Sequence, residues 1–132
     1  MIFSNDEFEE LFKSGYIVDA RCGGLVLGLS HEEGNIYMIR ECPSGYEIFG
    51  HMEGGEYIIR HEAYLRHEDR IISINKEKPE RYFIDIDILR KTPILQVSPT
   101  QFLLIDYRGV FIVNKKATCC YLEELNSLNT FY

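Results

Sequence analysis

Glycine divides the segment from Tyr16 to Arg60 into runs too short for helices. The apolar runs are Tyr16-Ile17-Val18, Leu25-Val26-Leu27, Ile36-Tyr37-Met38-Ile39, Tyr46-Glu47-Ile48-Phe49 and Tyr57-Ile58-Ile59. Between them lie Gly23-Gly24, Glu33-Gly34-Asn35, Pro43-Ser44-Gly45 and Glu53-Gly54-Gly55, all of them turn chemistries. Such links leave no room for a helical crossover, so the runs are expected to pair as an antiparallel meander of hairpins.

The flanks read differently. Ser4-Asn5-Asp6-Glu7 has the form of a capping box, followed by Phe8, Leu11 and Phe12 at helical spacing and by Gly15 as a stop. This predicts a helix over about 5–14. His61 to Lys76 reads as a second helix, ended by Pro79, although Ile71-Ile72-Ser73-Ile74 is also strand-like. In Tyr82 to Leu89, Ile84, Ile86 and Ile88 alternate with Asp85 and Asp87, which predicts a strand. Ile94 to Val97 is a further short strand. Phe102 to Tyr107 and Val110 to Val113 flank Arg108-Gly109 and read as a hairpin, apolar on both faces and so central in the sheet. Tyr121 to Leu128 spaces its leucines for a short C-terminal helix, with Thr118 as N-cap. The expected architecture is α+β. A single, mostly antiparallel β-sheet carries short helices at the N-terminus, in the middle and at the C-terminus, and residues 1–132 form a single domain.

An internal repeat runs through the meander. Residues 31–40 and 51–60 both follow His-x-Glu-Gly-x-x-Tyr-x-Ile-Arg, and six of the ten positions match. Two copies are too few for a solenoid. They are expected to be successive hairpins with the same turn, in which Gly34 and Gly54 supply the positive-φ residue. Tyr and Ile of each copy share one strand face and Arg points to the other.

Charge adds a functional direction. The chain carries 14 Lys+Arg and 21 Asp+Glu, a net charge of −7. Residues 1–59 hold 3 basic and 11 acidic residues, net −8, and residues 60–132 hold 11 and 10, net +1. An acidic first half is a poor phosphate-binding surface, so nucleic acid is not an expected partner. No apolar run is long enough to span a bilayer, and the N-terminus has no basic and apolar leader pattern, so a cytoplasmic protein without membrane contact is expected. Cys22, Cys42, Cys119 and Cys120 contain no Cys-x-x-Cys pair and are expected to be reduced, mostly buried thiols.

No cofactor motif is present. Gly23-Gly24-Leu25-Val26-Leu27-Gly28 is neither a dinucleotide fingerprint nor a P-loop. His61 and His67 lie six residues apart and fall on different sides of a helix, unlike a His-Glu-x-x-His metal site. Asp85 and Asp87, roughly 7 Å apart on a strand face, suit the solvent side of an amphipathic strand better than a catalytic pair.

Three functional expectations follow. The leading one is a non-catalytic binding module that contacts a basic protein through its acidic half, as an inhibitor, an immunity or antitoxin-like neutraliser, or an adaptor would. Its charged contacts are Glu32, Glu33, Glu53 and Glu56, with Tyr37 and Tyr57 as aromatic anchors. A weaker alternative is a small enzyme or metal-binding protein in which His31 and His51, with Glu33 and Glu53, hold a metal ion. The third is a structural homodimer paired through an exposed strand edge.

Overall fold

The computed structural model describes residues 2–80 and 83–130. Its elements in chain order are β1 (Ile2–Phe3), α1 (Asn5–Lys13), β2 (Ile17–Asp19), β3 (Gly24–Leu27), β4 (Ile36–Cys42), β5 (Gly45–Met52), β6 (Tyr57–Ile59), α2 (His61–Asn75), α3 (Ile86–Leu89), β7 (Ile94–Gln96), β8 (Phe102–Leu104), β9 (Phe111–Val113) and α4 (Lys115–Leu128).

The class is α+β, but the strands form two mixed sheets rather than one antiparallel sheet. The first has the order β1-β5-β4-β8-β2 and the second β7-β3-β6-β9. In the first, β4–β8 and β8–β2 are parallel while β1–β5 and β5–β4 are antiparallel. In the second, β3–β7 is parallel and β3–β6 and β6–β9 are antiparallel. Of the expected meander only β4–β5 is a hairpin, closed by Cys42 opposite Gly45. The other glycine links carry the chain from one sheet to the other. Facing sheets stack ~10 Å apart, a gap that three or four residues cross easily. Shortness therefore excludes a helix but does not force pairing within one sheet.

Four layers result. Phe8 and Leu11 of α1 cover Phe3, Ile17, Ile39 and Leu104 on the outer face of the first sheet. Phe8 stacks on Tyr46 with ring centroids 3.8 Å apart. The two sheets meet through Ile36, Met38, Met52 and Leu103 on one side and Val26 and Ile58 on the other. Ala63, Ile71 and Ile74 of α2, with Ala117, Leu122 and Leu125 of α4, close over Leu25, Tyr57, Ile59 and Val113. Sheet-on-sheet packing buries both faces of the inner strands, which is why β6 is buried at all three positions.

Local chemistry sets the element ends. The N-cap of α1 is Ser4 in a capping box: Glu7 N donates to Ser4 Oγ at 3.1 Å and Ser4 N to Glu7 Oε1 at 3.2 Å. The second helix is present, with a kink at His67. The expected strand over 82–89 is not found among its described residues. Asp85 instead accepts from Asp87 N and Ile88 N and caps the short α3. An Asp that bonds its own following amides competes with strand pairing, so Asp85 and Asp87 are no strand-face pair. Tyr82 lies outside the described residues. The expected hairpin across Arg108-Gly109 is not one: β8 is central in the first sheet and β9 is the edge of the second. Asn114, not Thr118, caps α4, its side chain accepting from Ala117 N at 2.9 Å. The four cysteines form no disulfide, and none is buried: Cys22 and Cys120 are exposed and the other two intermediate. Among the described residues no helix is long and apolar enough to cross a membrane.

Candidate functional site

The two repeat copies occupy facing sheets. Tyr37 and Ile39 of β4 point to the α1 side, whereas Tyr57 and Ile59 of β6 point to the α2–α4 side. Met38 and Ile58, between them, both enter the inter-sheet core. The copies therefore share a strand pattern but not a hairpin.

What brings the copies together is the 53–56 turn, which lies on the loop leading into β4. Gly54 N donates to Leu29 O and Gly55 N to Val26 O, each at 2.7 Å. The fit requires glycine. A Cβ on Gly54 would stand 2.8 Å from Gly28 N and closer still to Gly28 O. The expected role of Gly54 is thus corrected: it is not the positive-φ residue, which in this turn is Gly55 at φ +94°. Gly34 does have positive φ, at +148°.

This contact places His31 beside His51. Their ring centroids are 6.0 Å apart with planes at 85°. Tyr37, the cross-strand partner of His51, sets its ring 6.4 Å from the same imidazole. Tyr37 is exposed.

Of the four carboxylates expected here, three hold turns closed. Glu53 Oε2 accepts from His31 N at 3.0 Å. Glu56 Oε1 accepts from Glu53 N at 2.8 Å. Glu33 Oε1 accepts from Ser30 N at 3.1 Å and from Ser30 Oγ at 3.0 Å. Those Ser30 bonds, the backbone one first, hold the Glu33 carboxyl below its ordinary range. Glu56 moves the other way. Burial pushes its carboxyl up and the Glu53 charge adds to that, against the Glu53 amide bond and the two nearby imidazoles. Glu32 is exposed.

Tyr57 does not belong to this surface. It is fully buried, and its hydroxyl donates to Asn126 Oδ1 at 2.8 Å. Burial raises its phenol well above the ordinary value. The anchor role assigned to it by analogy with Tyr37 fails because its strand lies in the inner sheet, under α4. The metal reading finds no donor set. Among the described residues no group of three or more His, Cys, Asp or Glu side chains could hold an ion. The Glu33 carboxylate is turned to Ser30 and that of Glu53 to the His31 backbone. His61 and His67, on α2, lie outside the pair.

A second recess, missed in the sequence, opens at the other end of β4. The parallel strands β2 and β8 end level at Asp19 and Leu104 while β4 runs on to Cys42, and beyond the ends of β2 and β8, alongside β4, lies a cleft of about 280 Å³. Buried Leu104 and Ile105 line it, with Arg21, Glu41, Asp106 and Tyr107. A neighbouring cleft of about 410 Å³ shares Glu41 and Tyr107. The signal was absent from the sequence because β2 pairs with β8 across the chain, Ile17 opposite Phe102.

Compared with family models, curated proteins and solved structures, the chain matches none of them. Functional argument rests on its own residues.

Proposed function

We propose that the chain is a non-catalytic protein-binding module whose acidic surface at 31–37 and 51–56 contacts a basic partner. The observation that carries this reading is the convergence of the two repeat copies: His31 and His51 lie 6.0 Å apart, Glu53 bonds the His31 amide, the Glu56 carboxyl feels both imidazoles, and Glu32 and Glu33 follow His31 directly in the chain. Lys115 is the cation whose charge reaches this cluster, acting on Glu33. An anionic field of this kind steers encounter with a basic surface and speeds association.

Using three carboxylates to close turns does not remove them from recognition. A carboxylate has about four acceptor sites, and these turns use one or two of them. Held in place beforehand, the acceptors lose little side-chain entropy when a Lys or Arg docks. Tyr37 supplies an exposed aromatic surface of the type enriched at interfaces. The expected neutraliser, inhibitor or adaptor roles all fit such a surface. A cytoplasmic setting accords with four cysteines that form no disulfide.

The test compares the intact chain with a Glu32→Lys, Tyr37→Ala double variant, each immobilised and exposed to cell lysate at low and high salt. Bound proteins are identified by mass spectrometry. A basic partner held at low salt, released at high salt and lost by the variant supports the reading. Equal retention by both chains, or no salt-sensitive partner, overturns it.

A further inference from the structure

We propose that the recess beyond the carboxyl ends of β2 and β8, alongside β4, binds a cationic group, a guanidinium or primary ammonium, between Glu41 and Tyr107. This site lies at the opposite end of β4 from the surface discussed above and does not depend on it.

Charge accounting within the walls decides the sign of the ligand. Arg21 gives both arms of its fork to Asp19, Nε to Oδ1 at 2.9 Å and NH2 to Oδ2 at 2.7 Å. Arg108 is held twice by Asp106, at 3.0 and 2.8 Å, and by Glu62. Each guanidinium charge in or next to the walls is thus matched by a carboxylate, and the one carboxylate left without such a match is that of Glu41. The charged lining residues Arg21, Glu41 and Asp106 sum to −1, and the ion-pair partners Asp19, Arg108, Glu62 and Arg60 add no net charge.

Glu41 is the open position. It is exposed and enters none of the ion pairs that occupy Asp19, Asp106 and Glu62. Its cross-strand partner is Tyr46, which also lines the recess. Tyr107, 63 % exposed, stands with Glu41 on the wall shared by both clefts. The Arg108 guanidinium lies 5.7 Å from the Tyr107 ring centroid, so a guanidinium or alkylammonium uses the other face of that ring, with the Glu41 carboxylate supplying the charge and Leu104 and Ile105 lining the recess. The volume suits a side-chain-sized group. The ends of parallel strands are also where open sheets commonly take ligands.

The same chemistry can arrive as a free small cation or as an Arg side chain in a polypeptide. Ethylguanidinium and a capped arginine-containing tripeptide are titrated separately into the full chain, followed by amide chemical shifts. Inorganic phosphate is the anionic control. Saturable shifts at Glu41, Asp106 and Tyr107, weakened about fivefold or more by Glu41→Gln and by Tyr107→Ala, support the site. A tripeptide affinity at least tenfold above that of ethylguanidinium assigns the source to polypeptide, and equal affinities assign it to small cations. The proposal is overturned if neither probe shifts these amides, if Glu41→Gln binds unchanged, or if phosphate binds more tightly than both. A retained amide spectrum for each variant shows that lost binding is not lost folding.

Discussion

Replacing Gly54 by Ala tests the contact on which the acidic surface depends. The added Cβ would lie 2.8 Å from Gly28 N and closer to Gly28 O, whereas real Cβ atoms essentially never come within 3.0 Å. Both neighbours are backbone, so no side chain can swing away. The 53–56 turn must lift from the 28–31 loop. That motion strains or breaks the bonds from Gly54 N to Leu29 O and from Gly55 N to Val26 O, and the bond from His31 N to Glu53 Oε2. Overpacking costs ~1–3 kcal/mol and each net hydrogen bond ~0.5–1.5 kcal/mol. The expected loss is about 2–4 kcal/mol, or about 8–15 °C in Tm for a domain of this size. Urea unfolding followed by circular dichroism measures it. The same variant should separate the His31 and His51 rings, seen as loss of their ring-to-ring nuclear Overhauser contacts. Stability within about 0.5 kcal/mol of the unaltered chain would refute the reasoning, since that is the ordinary effect of an innocuous substitution.

Asn129→Ala should cost about 2–4 kcal/mol in urea unfolding, because Asn129 Oδ1 accepts from the buried Arg60 N at 2.8 Å and its Nδ2 donates to Cys22 O at 3.0 Å; a loss under about 0.5 kcal/mol contradicts this. Hydrogen bonds from Arg21, Arg108 and Arg70 hold the carboxyls of Asp19, Asp106 and Glu124 below their ordinary range. Depressed folded-state values add stability that is present above about pH 4 and lost as pH falls further, so the urea midpoint should hold from pH 7 to 5 and drop below about pH 4. Arg108→Gln should shallow that drop, and an unchanged slope argues against the pairing. Glu56 has the opposite sign: its raised folded-state value adds stability only at low pH, lost as pH rises. Glu56→Gln keeps an oxygen for Glu53 N and should therefore be more stable than the unaltered chain at pH 7, with the difference vanishing below about pH 4. A pH-independent difference would point to packing instead.

Particular residues show where sequence reading succeeds. Ser4 and Glu7 are three apart, and their capping box follows from the backbone geometry of one turn. The Tyr-x-Ile alternation of both repeat copies follows from strand pleating. His31 and His51 were expected at similar positions with Glu33 and Glu53 near; the structure brings the two rings and Glu53 together but turns Glu33 to Ser30. The reason assumed was wrong, since stacked hairpins do not place them; the Gly54–Gly28 contact does. Glu62 stands four residues before Arg66 on α2, the spacing of a helical ion pair, yet the structure turns it to Arg108, a partner 46 residues away that no local pattern can rank.

Tyr37 and Tyr57 mark the boundary between the two sources of information. They hold the same place in the same ten-residue pattern, yet one is exposed beside His51 and the other is buried under α4. The sequence by itself determined the Tyr-x-Ile alternation of the repeat, the Ser4–Glu7 cap, the breaks between the short strands and the concentration of negative charge before residue 60, because each depends on neighbours a few residues apart. Only the tertiary structure decided which sheet each strand joins, which tyrosine meets solvent and which carboxylates close turns. Those outcomes depend on parallel pairings such as Leu25 with Ile94 and on a sheet-to-sheet gap short enough for any glycine link to cross.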